Sequence, residues 1–407
     1  MSRSMLALAL LLGCAGIPAL ADHNDSVKGH YLFAWTGDAA KQGNDFLAVI
    51  DADPASTSYG QLITTVATDQ KTMQVHHTEY TMSESGFLFA NDHVAGRTFI
   101  WDLRDPLHPK VVTSFTDMAG YSHPHSFLRL PNGHVLASFQ HVQHSGMDMP
   151  MTGRGISGGI VEIDDRGRVI RSAGTADPGY PDAMLMAYSL VVLPEVDRVL
   201  VTNSSMHDED PHGHSYQIFR LSDLKLLHTE YFDTGGRTYG EIDPEEPRRG
   251  PDGSVYVQTL ACGIERVMDI GTAAPKSKLV FMFPGTFCGV PTIVGHYLIQ
   301  SVPAYHGLAV LDIADPSKPV EVSRVKLDDL ISPHWTGWDA KSRRIVVTGY
   351  GEENRLFMLT FDEGTGALAV DTAFHDKAGK AGFDFDGREW PHGWKGSGKP
   401  HGVVFSR

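Results

Sequence analysis

Three nine-residue stretches share one pattern: an apolar strand, an acidic residue and then a turn with proline. They are FLAVIDADP at 46–54, TFIWDLRDP at 98–106 and LAVLDIADP at 308–316. Further strand-like copies lie at 159–164, 216–221 and 356–361, and a weaker copy lies near 263–269. Successive copies are about 45 to 60 residues apart, which suits a four-stranded unit with loops of varying length. The seven copies predict an all-β fold, a seven-bladed β-propeller.

A second set of short strands precedes these copies, and its last member ends the chain. This strand starts at His401 and runs to Phe405, with no second strand after it. The first strand-like run of the chain, Tyr31–Trp35, lacks the strand that should precede it. We therefore expect the N- and C-terminal strands to pair and close the ring, which removes exposed sheet edges. One propeller domain is expected over residues 22–407.

The N-terminus has the pattern of an export signal. Arg3 supplies a positive charge, 5–12 form a short apolar run, and 19–21 are small residues of the cleavage type. This predicts a signal peptide at residues 1–21 and a periplasmic protein. The competing prediction is a lipoprotein, with Leu11–Cys14 as the lipidation box, although Leu12 fits that box poorly.

Charge and cysteine content narrow the range of partners. The formal net charge of −15 argues against nucleic acid. No segment after residue 21 is apolar enough to span a membrane. Cys262 and Cys288 are the cysteines that remain after the signal. They can pair in an oxidising compartment, but the sequence leaves their separation open.

Histidine is abundant and falls at equivalent positions of the repeat. The chain has 21 histidines, and in four blades one stands at the start of the innermost strand: His77, His125, His334 and His401. These blades are consecutive around the closed ring, so the four imidazoles should converge at the channel mouth. Neutral imidazole suits copper, zinc, iron and nickel. We predict a metal site with copper as the first choice and zinc as the second; a lone strand histidine is otherwise more often a packed or surface residue.

Other polar residues are expected around this site. His76 should point away from His77 by strand alternation and orient a ligand from behind, and His123 stands in a similar relation to His125. The second strand of each blade returns to the same mouth, which predicts a rim that includes His93, His144 and His207. His306 and Glu241 are candidates for acid/base catalysis or additional ligation. The alternative for the rim residues is a solvated loop.

The sequence resembles the selenium-binding protein family, which includes the bacterial methanethiol oxidases. The motifs that carry the resemblance are His76-His77, Ala95–Ile100, His123-Pro124-His125 with Asn132-Gly133, His306-Gly307 before Asp312–Pro316, and Pro400-His401-Gly402. The resemblance implies a seven-bladed propeller with a histidine-bound metal, copper in the bacterial oxidases. One departure is clear, since Thr78-Glu79-Tyr80 follows the histidine pair where the family has a pair of cysteines.

The resemblance implies oxidation of a small thiol at a copper site. The family reaction converts methanethiol, oxygen and water to formaldehyde, hydrogen sulfide and hydrogen peroxide. The expected partners are thus a small thiol and oxygen. The alternatives are a periplasmic copper carrier or a propeller scaffold without enzymatic activity and, less favoured, a zinc hydrolase. The sequence leaves the oligomeric state open.

Overall fold

The chain is described by a computed structural model over residues 29–142, 156–206, 213–237, 242–352, 354–377 and 379–407. These residues form β-strands together with short 3-10 turns at Pro194–Val196 and Pro303–Tyr305. No helix within these ranges is long and apolar enough to cross a membrane. The expected signal peptide at 1–21 lies outside them.

The first four blades follow one another along the chain. Blade one contains β1 (Tyr31–Asp38), β2 (Asn44–Asp51) and β3 (Leu62–Lys71). Blade two contains β4 (Val75–Thr78), β5 (Phe87–Asp92), β6 (Arg97–Asp102) and β7 (Lys110–Phe115). Blade three contains β8 (Tyr121–Arg129), β9 (Val135–Val142), β10 (Gly159–Ile163) and β11 (Val169–Gly174). Blade four contains β12 (Ala187–Leu193), β13 (Arg198–Asn203), β14 (Ser215–Arg220) and β15 (Leu226–Tyr231).

Three more blades and a final strand complete the ring. Blade five contains β16 (Pro244–Arg249), β17 (Val255–Thr259), β18 (Gly263–Met268) and β19 (Lys276–Met282). Blade six contains β20 (Thr292–Val294), β21 (Tyr297–Val302), β22 (Gly307–Asp312) and β23 (Val320–Lys326). Blade seven contains β24 (Ile331–Asp339), β25 (Arg344–Gly351), β26 (Arg355–Asp362) and β27 (Ala367–Val370), and β28 (Phe383–Asp384) pairs with β26. A small hairpin of β29 (Arg388–Glu389) and β30 (Lys395–Gly396) precedes β31 (Gly398–Phe405).

The ring closes through its two ends, as the sequence predicted. Strand β31 pairs antiparallel with β1, so the sheet of blade one has the order β3-β2-β1-β31. The C-terminal strand is therefore innermost in a blade whose other strands begin the described chain. The all-β seven-bladed propeller and its closure by the terminal strands are both confirmed.

Burial changes from the axis to the rim of each blade. The strands next to the axis and behind it are packed on both faces, and every residue of β1 is buried. The outermost strands alternate instead between exposed and half-buried residues, as in β23, where Val320 and Val322 are exposed and Val325 is half-buried. Apolar side chains from neighbouring blades pack into shared clusters, such as the one that holds Trp35, Phe99 and Trp101. This packing fixes each inner strand against its neighbours.

A β-bulge interrupts the innermost strand in six of the seven blades. In β8, for example, 125 and 126 both lie opposite 138, and β4, β12, β16, β24 and β31 have a register shift at the same place. A bulge breaks the alternation of side chains and leaves backbone groups without a ladder partner. Polar side chains opposite the bulge accept the freed N–H groups: Asn91 from His77, Ser138 from Ser126, Thr202 from Ser189 and Gln258 from Glu246.

The two cysteines that the sequence left open are joined. Cys262, in the turn between β17 and β18, forms a disulfide with Cys288, which precedes β20. The bond links blade five to the segment that leads into blade six. In that segment the N–H of Val290 donates to the carbonyl of His334, at 2.7 Å. The disulfide therefore fixes a stretch of chain that contacts a candidate metal ligand.

Candidate metal centre

The four histidines expected at the axis meet there. The ring centroids of His77 and His125 are 4.6 Å apart, and those of His334 and His401 are 4.9 Å apart. The centroids of His77 and His401, one ring from each pair, are 5.6 Å apart. The side chains of His77, His125 and His401 are buried, and His334 is partly buried with a buried Nε2.

His76 belongs to the same cluster, so the expectation that it points away was wrong. Its ring lies 4.1 Å from that of His77, 4.4 Å from His401 and 4.7 Å from His125. The reason is the bulge in β4, which turns consecutive side chains toward the axis. The pairing register places His76 level with His125 and His401, and places His77 one position further along. Strict alternation could not predict this.

The imidazoles fit a metal ion by an independent criterion. One buried ring nitrogen of each has no hydrogen-bond partner: His76 Nδ1, His77 Nε2, His125 Nε2, His334 Nε2 and His401 Nδ1. Buried polar atoms almost always have partners, so a group of such orphans indicates a missing ligand. Two sets of three have ligand atoms within 4.8 Å of one another: His76, His334 and His401, and His76, His77 and His125. The cluster can therefore hold a metal.

Hydrogen bonds hold several of the rings in the orientation that ligation needs. Nδ1 of His125 donates to the carbonyl of Tyr188 at 2.8 Å, which leaves its Nε2 as an acceptor facing the cluster. Nε2 of His401 bonds to the hydroxyl of Tyr350 at 2.7 Å. Nδ1 of His77 lies 3.1 Å from the hydroxyl of Ser126. Partners of this kind fix the tautomer of metal-binding histidines.

The cluster favours neutral imidazole. Burial lowers the pKa of His76, His77, His125 and His401 well below 6.5, and the neighbouring imidazoles lower it further. Burial also lowers the pKa of His334 to about 4. All five rings are therefore uncharged near neutral pH, which is the form that binds a metal.

A buried carboxylate that sequence reasoning missed stands behind His77. One oxygen of Glu246, Oε1, lies 3.7 Å from Nδ1 of His77. The other, Oε2, accepts hydrogen bonds from the hydroxyls of Tyr80 and Ser189 and lies 3.3 Å from Nη1 of Arg248. In blade five the sequence pointed to Glu241, which lies outside the described residues; the bulge of β16 instead carries 245 and 246. His125, Tyr188 and His334 each lie ten residues before the first residue of the following strand. The same spacing before β17 leads to Glu245, and this was the signal that the sequence offered in blade five.

Aromatic side chains enclose the same side of the cluster. The ring of Tyr80 stacks on Trp335 at 5.0 Å, and Trp335 contacts His77 edge-on at 5.1 Å. The guanidinium of Arg248 lies 3.8 Å above the ring of Tyr80. Burial raises the pKa of Tyr80, and the negative charge of Glu246 raises it further. Tyr80 therefore stays protonated at neutral pH. Tyr80 therefore fills, as a neutral aromatic, a segment where the resembling family has cysteines.

The remaining predicted residues differ in their relation to the cluster. His93 is buried 5.5 Å from the ring of His125, and its Nε2 lies 2.7 Å from Oε1 of Gln140. His123 is half-buried, with its ring 6.1 Å from that of His93. His306 is exposed at the 3-10 turn of blade six, where its Nδ1 bonds to the carbonyl of Ile331, so the structure does not bring it into the cluster. His144 and His207 lie outside the described residues.

The chain is similar to known proteins in sequence over part of its length and in fold over most of it. No protein-family model matches the chain. Over 156 residues the sequence is 33% identical to a methanethiol oxidase from Hyphomicrobium sp, a match that covers 34% of this chain and 35% of the relative. The chain thus matches about a third of the length of that relative.

Solved structures share the fold over most of the chain. The X-ray structure of a hypothetical selenium-binding protein from Sulfolobus tokodaii has a TM-score of 0.70 at 16% identity and covers 92% of this chain and 93% of that chain. The periplasmic gluconolactonase of Pseudomonas aeruginosa has a TM-score of 0.61 at 11% identity, with 93% and 99% covered.

Fold and site together define the class: a seven-bladed propeller with a buried imidazole cluster that can hold a metal. The sequence match to a methanethiol oxidase confirms the expected resemblance to the selenium-binding protein and methanethiol oxidase family, and the solved structures agree with it at the level of the fold.

Proposed function

We propose that the chain is a copper-dependent oxidase of a small thiol, with methanethiol as the first substrate to test. The observation that carries the proposal is the convergence of five imidazoles, each with a buried nitrogen that has no partner. The relative's name supplies the reaction class. In that reaction methanethiol, oxygen and water give formaldehyde, hydrogen sulfide and hydrogen peroxide.

The donor set favours copper over zinc. The candidate ligands are all imidazole, which binds both ions, and divalent copper binds such ligands more tightly than divalent zinc. Copper also supplies the redox chemistry that an oxidase needs, because it takes up and releases single electrons and binds thiolate. The ligands we propose are His77, His125, His334 and His401, as the sequence predicted, together with His76.

The surrounding side chains create the conditions for a small thiol. Burial keeps water away from the cluster, and the stacked pair of Trp335 and Tyr80 offers apolar surface beside His77. A thiol must lose its proton to react as thiolate. The rings of His93, His123 and His141 follow one another outward from His125. Successive ring centroids, starting from His125, are 5.5, 6.1 and 4.9 Å apart. These rings provide groups that can pass this proton toward the surface.

We also propose that the protein acts in the periplasm as one propeller of residues 22–407. The N-terminal pattern of 1–21 supports export. The disulfide between Cys262 and Cys288 suits an oxidising compartment, since cytosolic proteins rarely keep such bonds.

Oxygen uptake tests the function directly. Purified, copper-loaded protein should consume oxygen when methanethiol is added and release formaldehyde, sulfide and peroxide in equal amounts. We expect His125→Ala to lose the activity and most of the bound copper by elemental analysis. The exposed His108, paired with Asp105 on blade two, offers a matched control, and His108→Ala should behave as the wild type.

Two results would contradict the proposal. Copper-loaded protein that consumes no oxygen with methanethiol is not this oxidase, and release of its copper to an acceptor would instead identify a carrier. Wild-type protein that binds no copper at all would remove the metal site as well.

A further inference from the structure

The five imidazoles do not form one uniform site but two overlapping groups of three. In each group one ligand nitrogen per residue lies within 4.8 Å of the other two, and His76 belongs to both. The partners of His76 are His77 and His125 on one side and His334 and His401 on the other. The ring of His76 contacts a member of each pair, with centroids 4.1 Å from His77 and 4.4 Å from His401, while the centroids of His77 and His401 are 5.6 Å apart.

One ion cannot engage all five rings as they stand. Metals of this class bind imidazole nitrogen at about 2.0–2.1 Å, so two nitrogens on one ion are at most about 4 Å apart. The ligand atoms of the five residues do not meet even a common limit of 4.8 Å, because they divide into two groups. An ion in one group therefore leaves two buried nitrogens of the other group without a partner. In the structure, each of the five histidines has one buried ring nitrogen without a hydrogen-bond partner.

Each group by itself has the make-up of a reactive metal site. Three protein ligands with a fourth position open is the usual arrangement of catalytic sites in which the metal must also bind substrate. His76 can serve both groups only as an imidazolate: its neutral ring offers one lone pair, and release of the remaining N–H proton to solvent frees the second nitrogen for the second ion. The buried carboxylate of Glu246, whose Oε1 lies 3.7 Å from Nδ1 of His77, stands beside the cluster, where it offsets the charge of a bound cation.

We infer that the cluster is a dinuclear centre in which two ions share His76. The inference rests on the metal site of the proposed function and specifies its stoichiometry. The proposed reaction moves two electrons from the methyl carbon of the thiol to oxygen, which leaves as peroxide, and two one-electron sites match that number.

Metal titration of single and double variants tests the inference. Metal-free full-length protein is titrated with copper(II) by calorimetry, and bound copper is counted by elemental analysis after desalting. We expect two copper ions per wild-type chain, one in His401→Ala, one in His125→Ala and none bound tightly in the double variant. His108→Ala, on the exposed surface, should bind two. Thermal unfolding of each metal-free variant shows whether it is folded, and glutamine replaces alanine where it is not.

The wild type provides a second readout that needs no variant. Two copper(II) ions that share the imidazolate of His76 should couple, so electron paramagnetic resonance should show less signal than the bound copper accounts for. Each single variant should restore the full signal of isolated copper. Saturation at one ion per chain, or two ions without coupling, would overturn the dinuclear centre and leave the oxidase proposal standing. Absence of copper binding would overturn both.

Discussion

The carboxylate behind His77 acts on the ring through its charge, in addition to the contact of Nδ1 with the hydroxyl of Ser126. Oε1 of Glu246 lies 3.7 Å from Nδ1 of His77, which favours a proton on Nδ1 and leaves Nε2 to face the cluster. Changes to such supporting groups typically cost about 10- to 100-fold in metal affinity. We therefore expect Glu246→Gln to weaken copper binding by at least about tenfold, as measured by competition with a chelator of known affinity.

A carboxylate far from the cluster provides the control for this prediction. Glu195 is exposed and pairs with Arg249 at 2.8 Å, so Glu195→Gln should keep the wild-type affinity. If Glu246→Gln binds copper as tightly as the wild type while remaining folded, the carboxylate does not orient His77.

A second residue, Asp45, makes stability depend on pH. Burial, and after it the nearby charge of Asp92, raises the pKa of the Asp45 carboxyl to about 8. The unfolded chain releases this proton near pH 4, so the folded state holds a proton between about pH 4 and 8 that the unfolded state does not. The contribution of Asp45 to the free energy of unfolding is complete below about pH 4. It falls as the pH rises above about 4 and is lost once the pH passes about 8.

Asp45→Asn should remove this dependence, because an amide does not ionise. Urea unfolding at pH 5 and pH 9 should show a smaller difference in the free energy of unfolding for the variant than for the wild type. The exposed Asp329 gives the matched control, since Asp329→Asn should keep the wild-type difference. An unchanged difference in Asp45→Asn would mean that the carboxyl does not hold the proton.

At the level of the element, the contact between β31 and β4 joins the chain ends to the cluster. Gly402, beside His401 in the bulge of β31, packs so closely that a Cβ would lie 2.6 Å from the backbone nitrogen of Thr78. Gly402→Ala should therefore push the two strands apart, with a loss of about 1–3 kcal/mol in the free energy of unfolding and weaker copper binding. The solvent-exposed Gly179→Ala is the control, and equal stability and affinity of both variants would contradict the prediction.

The disulfide joins neighbouring elements around the cluster. It closes a loop of 26 residues, and a bond of this kind contributes about 3 kcal/mol. Because both sulfurs are buried and the linked segment bonds to the backbone of His334, we expect the Cys262→Ala, Cys288→Ala double variant to unfold at a lower temperature and to bind copper less tightly. Calorimetry of the oxidised wild type and the double variant checks this, and matching unfolding temperatures would contradict it.

At the scale of the whole molecule, repeats made the fold predictable and bulges limited the prediction of the site. The recurring strand-and-turn pattern and the unpaired strands at the two ends were enough to predict seven blades and their closure. The same repeats located His125, His334 and His401, and in blade two they pointed to His77, one residue beyond the equivalent His76. They could not place His76, because a register shift of one residue reverses the direction of a side chain and the sequence does not mark where the shift occurs.

Long-range contacts explain the rest of what the sequence did not reveal. Glu246 acts on His77 from a strand 169 positions away, so no local pattern indicates the contact. His306 belongs to a motif beside a strand, yet the turn that contains it leaves its side chain exposed. Glu241, His144 and His207 remain predictions.

Anomalous diffraction at the copper absorption edge tests the central claim most directly. Crystals of the full-length protein grown with copper should show anomalous peaks within bonding distance of His76, His77, His125, His334 and His401. Copper-loaded crystals with no peak among these five imidazoles, or with peaks only elsewhere on the protein, would contradict the claim that the propeller axis holds the metal.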